Sequence, residues 1–230
     1  MKGAHLPSSC DVCDKLCVNH LFQKDVATEF IKGVRQVNYK KGETILKQSS
    51  FANNVIFLKN GLAKLILESN TDKETIFKLL PSNSFACLSV LFSKDFVPFT
   101  MVALKNCSVC LIKKELLEEQ LLKNNHATEF VLNSYSMENL FLFNRLSVLS
   151  TRNNHGKLAD ALLYTHSKEL RDENATQYLT RNDWADLASI SVESVNKILN
   201  ELKNDLIIKI NNDGIEISNI DLLLRLSRIG

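Results

Sequence analysis

The chain has 230 residues, 45% of them hydrophobic and 23% charged, with a formal net charge of +2. That balance supports two small domains with apolar cores and excludes a disordered or collagen-like chain. With no apolar stretch in MKGAHLPSSC and no uninterrupted run of about eighteen apolar residues, a cytoplasmic protein with reduced thiols and no membrane partner is expected.

Residues 1–20 carry Cys10, Cys13 and Cys17 in a C-x2-C-x3-C spacing. Together with His20 they would make a local Cys3His zinc site. The Cys10/Cys13 pair is also the spacing of a redox dithiol, but no βαβ pattern surrounds it. An inert cysteine-bearing tail is the third reading.

From about 34 to 112 the pattern is mostly of period two. VNYKKGETILKQ places Lys41-Gly42 between strands, VIFLKNGLAKLILE places Asn60-Gly61 in a hairpin position, and TIFKLLPSNSF, FTMVALKN and SVCLIKK add short strands. An antiparallel β-roll over 21–124 is expected. From about His126 to Leu149 the text becomes helical, with apolar residues on more than one face. One face suits the roll; the other suits a second copy of the same helix, so 125–150 is assigned as a dimerisation helix with Phe130, Met137, Phe141 and Val148 at its interface.

Asn153-Asn154-His155-Gly156 marks a hinge into a last domain, 151–230, whose first helix is expected over Lys157 to Leu170. In LTRNDWADLASISVESVNKILNELKNDLIIKINNDG, Thr180 and Asp183 have capping-box spacing before Trp184, Leu187 and Ala188. Ser191 can cap a second helix. At roughly 100° per residue, Val195, Ile198, Leu199 and Leu202 share one stripe, while Val192, Glu193, Asn196 and Lys197 share the opposite one. Beyond it, Ile208 and Ile210 alternate with Lys209, Asp213-Gly214 supplies a turn, and Ile215 and Ile217 alternate with Glu216.

This is a winged helix-turn-helix pattern, with Arg181, Ser191, Val192, Glu193, Ser194, Asn196 and Lys197 as candidate contacts to double-stranded DNA. The alternative is an ordinary helical hairpin in which Glu193 and Lys197 form a surface i, i+4 pair. After residue 150 there are ten basic and twelve acidic residues, so no general basic field favours phosphate. Phosphate contacts would have to come from local placement of Arg181, Lys197, Lys203 and Lys209, giving modest, salt-sensitive binding. No enzyme constellation can be assembled; a dithiol oxidoreductase is the distant alternative.

An α+β chain with an N-terminal β-roll, a long helix and a C-terminal winged helix resembles the Crp/Fnr family of bacterial transcription regulators. YKKGETILKQ with VIFLKNGLAKL resembles the family's first roll strands, HGKLADALLY its helix after the hinge, and LTRNDWADLASISVESVNKIL its helix-turn-helix. The resemblance implies a homodimer on an inverted-repeat operator, with RNA polymerase as a partner. It also implies an effector in the roll that reorients the DNA-binding domains.

Cyclic AMP is not the expected effector. Members that bind it use a Gly-Glu pair for the ribose and an Arg-Ser pair for the phosphate, and Ala86-Cys87 and Val97-Pro98 stand there instead. A buried phosphate without those donors is uncompensated. The oxygen-sensing branch instead joins a terminal cysteine group to one cysteine late in the roll around a [4Fe-4S] cluster. By that resemblance Cys10, Cys13, Cys17 and Cys110 are the candidate ligands. The second gap is narrower than in that branch, which leaves Cys17 the least secure match; Cys87 and Cys107 are expected as core thiols. SISVESVNK resembles the same branch, with Val192 where the cyclic-AMP branch has arginine, which implies a TTGA-like half-site.

Overall fold

The computed structural model describes residue 30 and residues 33–69, 74–91 and 96–230. Its contacts divide it into two compact units, one holding residues up to 63 with 80–139, the other residues 64–79 with 140–230.

Among the described residues eight short strands make the roll: β1 (Val34–Tyr39), β2 (Thr44–Leu46), β3 (Asn54–Asn60), β4 (Leu62–Glu68), β5 (Glu74–Pro81), β6 (Ser84–Ala86), β7 (Thr100–Ala103) and β8 (Cys107–Lys113). They form two four-stranded sheets in the orders β1-β8-β3-β6 and β2-β7-β4-β5. The expected hairpin at Asn60-Gly61 is therefore corrected. β3 and β4 lie in different sheets, and Asn60-Gly61 is the corner where the chain changes sheet. Gly61 takes φ +119, and a Cβ there would stand 2.6 Å from the Cys107 sulfur. Only glycine fits such a corner.

In the first unit, α1 (Lys114–Lys123) follows β8 and leads into α2 (Asn125–Thr151). Val34, Val55, Phe57, Cys110 and Ile112 from the first sheet meet Leu117, Leu121, Ala127 and Val131 from the two helices in one apolar cluster, with Phe30 among them. The alternation in β8 explains this, because Cys110 and Ile112 share one face of the strand.

In the second unit only Arg152 and Asn153 separate α2 from α3 (Asn154–Thr165). The Asn153 side chain accepts from the Gly156 amide at 3.0 Å, so the expected hinge is the N-cap of the next helix. That helix begins three residues earlier than expected and stops at Thr165; α4 (Lys168–Asp172) and α5 (Ala175–Tyr178) follow. Then come α6 (Arg181–Ala188), α7 (Val192–Asn204), the hairpin β9 (Ile208–Asn211) and β10 (Gly214–Ile217), and α8 (Ile220–Ile229). Asn211 pairs with Gly214, so the wing turns on Asn212-Asp213, one residue before the expected Asp213-Gly214. Among the described residues no helix is long and apolar enough to cross a membrane.

Leu206 follows the C-cap of α7 with φ +57 and is 76% exposed. Its left-handed backbone strains a branched side chain that contributes little burial. Leu206→Gly should therefore raise the unfolding free energy by roughly 0.5–1 kcal/mol, the strain relieved minus the added freedom of the unfolded chain. Urea unfolding of the two proteins checks this; a lower midpoint for the variant would contradict it.

Candidate nucleic-acid interface

The geometry at the start of α6 follows from its first four residues. The Asp183 amide donates to the Thr180 hydroxyl at 3.1 Å, and the Thr180 amide donates to the Asp183 carboxylate at 2.8 Å. This is a complete capping box. Burial raises the Asp183 pKa, but the Lys64 ammonium and the Thr180 hydroxyl and amide more than offset it and hold the carboxyl below its ordinary value. The ionised state is therefore favoured at neutral pH, and its contribution is lost only as pH falls through the carboxylate range.

Ser189 ends α6 at φ +51, and the chain turns within three residues into α7. Ser191 caps that helix, accepting from the Ser194 amide at 3.2 Å. Val195, Ile198, Leu199 and Leu202 are buried, as their spacing requires. Trp184, Leu187 and Ala188 of α6 are buried as well. Glu193, Asn196 and Lys197 are exposed and Val192 is half-buried. Arg181 is exposed at the first position of α6.

The candidate contacts are thus brought onto one surface, though three of them are already engaged. Ser191 serves as the cap and its oxygen lies 3.2 Å from that of Ser194, which accepts from Asn154 at 3.4 Å. Glu193 accepts from its own backbone amide and from the Ser191 hydroxyl, which holds its carboxyl below the usual range. It therefore remains an acceptor at neutral pH, suited to an exocyclic amine. The surface offers an apolar group, a carboxylate, an amide and an ammonium along one side of α7.

The residues assigned to a dimer interface part company. Phe130 meets Phe85 edge to face at 5.8 Å between centroids. Phe141 lies 5.4 Å from the Tyr164 ring, and Val148 is 7% exposed. These three pack within the chain. Met137 is exposed together with Leu132, Leu140, Phe143 and Leu146, and Phe143 is 68% exposed. Periodicity along α2 could not say which apolar face the chain itself would cover.

Cys10, Cys13, Cys17 and His20 lie outside the described residues. Cys110 is fully buried in the cluster that contains Phe30, and Cys87 and Cys107 are buried free thiols. Burial, with a smaller contribution from Glu138, pushes the Cys87 thiol up to about 12, so it behaves as a small core residue. No group of three or more metal-ligating side chains occurs among the described residues.

Residues 36–124 match the cyclic nucleotide-binding domain, and residues 156–226 match the Crp-like helix-turn-helix domain. It is a DNA-binding transcription regulator of the Crp/Fnr type. FixK2 from Bradyrhizobium japonicum has the same fold, with a TM-score of 0.73 at 17% identity over 84% of this chain and 96% of that one. The global regulator CLP from Xanthomonas campestris, described as c-di-GMP responsive, gives 0.68 at 18% identity over 80% and 94%. A CRP/FNR-family regulator from Thermus thermophilus gives 0.62 at 18% over 84% and 98%. No curated protein matches the chain. Proteins of this family are regulators and not enzymes.

In this Crp/Fnr regulator two charged residues that sequence reasoning passed over lie behind the interface. Arg145 is buried in α2, donating to Asp160 of α3 at 3.1 Å and to the Leu187 carbonyl at the end of α6 at 2.5 Å. Burial lowers the Arg145 pKa and raises that of Asp160, while each partner opposes the effect on the other. Lys64 of β4 reaches the Asp183 carboxylate at 2.6 Å. A lone arginine in an apolar helix was a visible signal. Nothing in LAKLILE distinguished Lys64 from a solvated lysine.

Proposed function

We propose that this regulator works as a homodimer on an inverted-repeat operator, in the cytoplasm, with RNA polymerase as its downstream partner, and that it belongs to the oxygen- or redox-sensing branch. The observation that carries DNA reading is the row Val192, Glu193, Asn196 and Lys197 at the start of a capped helix whose opposite stripe is wholly buried. The observation that supports dimerisation is the apolar row Leu132, Met137, Leu140, Phe143 and Leu146 on the same long helix, exposed in the single chain. Recovery of inverted half-sites about one helical turn apart, in selection from random DNA at one stated salt concentration, tests the reading. Enrichment of no motif would reject it.

Cyclic AMP remains an unsuitable ligand on this reading. Ala86, Cys87 and Val97 are buried apolar positions, and none brings a charged or strong side-chain donor to a phosphate. Sensing is assigned instead to the cysteines, with Cys10, Cys13, Cys17 and Cys110 as ligands of a [4Fe-4S] cluster. What supports this reading is that Cys110 belongs to the same buried cluster as Phe30, which follows Cys17 by thirteen residues in the sequence. When bound, such a group would supply oxygen-labile redox chemistry. The second reading is a local zinc site of Cys10, Cys13, Cys17 and His20, which needs nothing from the roll. Anaerobically purified protein should contain iron and sulfide, and Cys110→Ser should lose both. Zinc in the parent, kept at full occupancy by Cys110→Ser, would reject the cluster.

A further inference from the structure

We propose that Lys64 is a positioning residue for DNA reading: its ion pair with Asp183 clamps the helix-turn-helix to the β4–β5 hairpin, so that the recognition helix α7 is presented in one orientation. The pair is made inside the second compact unit, which joins residues 64–79 to residues 140–230. The Lys64 ammonium lies 2.6 Å from one oxygen of Asp183, and the two side chains are 17% and 7% exposed. The other carboxylate oxygen accepts from the Thr180 amide at 2.8 Å and the Thr180 hydroxyl at 2.6 Å. One carboxylate therefore caps α6 and anchors it to the hairpin.

A second tie acts on α3. The Tyr164 hydroxyl accepts from the Leu79 amide at 2.9 Å and lies 3.3 Å from the Leu79 carbonyl, to which it donates. Burial pushes its pKa up to about 12, so it keeps the proton that this donation requires. The Phe141 ring packs on Tyr164, and the Lys78 ammonium stands 5.8 Å from the Phe141 centroid. Lys64 thus holds α6 from β4, while Leu79 and Lys78 hold α3 and α2 from β5.

Stability alone gives a poor account of such a pair. Removing two charges from water offsets most of their attraction, and apolar replacements of similar size are often neutral. A directed, buried contact does restrict orientation. The candidate reading groups Arg181, Glu193, Asn196 and Lys197 all remain exposed while the clamp is closed. The clamp therefore presents the reading surface and does not cover it. Fixing that surface beforehand removes an ordering penalty that a freely rotating unit would meet on engaging two half-sites at once.

The test uses the chain's one tryptophan, Trp184, which is buried beside Asp183. In the intact protein, fluorescence anisotropy of Trp184 should decay with the slow tumbling of the whole molecule. Lys64→Met should add a faster component, and Lys64→Arg should restore the slow decay. The double variant Lys64→Met with Asp183→Asn, which leaves no stranded carboxylate and keeps an acceptor for Thr180, should behave like Lys64→Met. Affinity for a two-half-site operator should fall roughly tenfold in Lys64→Met and in the double variant, with affinity for a single half-site unchanged. A decay that stays slow in both variants overturns the clamp, whatever the DNA result. A faster decay with undiminished operator affinity overturns its positioning role. Because the anisotropy requires no DNA, failure of the clamp is distinguishable from failure of the operator reading.

Discussion

Phe143→Glu is expected to convert the protein to monomers and abolish binding to a two-half-site operator, while the fold of each chain survives. Phe143 is among the most exposed large apolar residues of α2, so a glutamate there meets water in the single chain. In a dimer the same carboxylate would be buried against the partner helix, where an unpaired charge costs several kcal/mol. Each 1.4 kcal/mol is a tenfold change in an equilibrium constant, so dissociation by several orders of magnitude follows. Phe141→Glu is the informative contrast. Phe141 packs on Tyr164 inside the chain, so its replacement should lower the unfolding midpoint along with any effect on association. Sedimentation of Phe143→Glu as a stable dimer would remove α2 as the interface.

That contrast shows where sequence reading ran out. The helix-turn-helix was legible because its rules are local. A capping residue acts within three positions and a buried stripe within one helix, and Thr180, Asp183, Ser191 and Val195 to Leu202 stand where those rules put them. The roll was legible as alternation but not as topology. Asn60-Gly61 has hairpin chemistry, yet the collision that requires glycine is with Cys107, forty-six residues away and invisible to any window. The wing turn missed by one residue because both Asp213 and Gly214 suit a turn, and only the Asn211–Gly214 pairing decides between them.

The candidate site shows the same division. The residues that face outward on α7 could be read from 3.6-residue periodicity, but the groups that hold α6 in place could not. Asp183 was assigned to a capping box, correctly, and its second bond to Lys64 is a contact over 119 positions. Arg145 links α2 to α3 and to the end of α6 through one guanidinium, a role that depends on three elements meeting. Cys110 could be placed on a strand by alternation. That its face lies under Phe30 and the two helices follows only from the order β1-β8-β3-β6 and the helices packed upon it.

Changing Val192 to Arg is expected to move the preferred half-site from TTGA-like to GTGA-like without a uniform gain in affinity. Val192 is the first residue of α7, behind the Ser191 cap and half-buried, so its methyl groups can meet a thymine methyl at the groove floor. Glu193 is held ionised by its own amide and by Ser191, and can accept from a cytosine amino group; Lys197, one turn on, can donate to guanine O6 or N7. An arginine at 192 replaces the apolar contact with a two-pronged donor matched to guanine. A good bidentate pair discriminates by about 1–3 kcal/mol, which corresponds to roughly ten- to hundredfold in base preference. Lysine at 197 lacks that fork, so the parent should discriminate more softly at its guanine than at the other positions. If residue 192 met only phosphate, the added charge would strengthen binding to every sequence and steepen its salt dependence instead. Selection from random DNA with both proteins at the same salt concentration separates the two outcomes, and recovery of one common motif would refute a base-reading role for Val192.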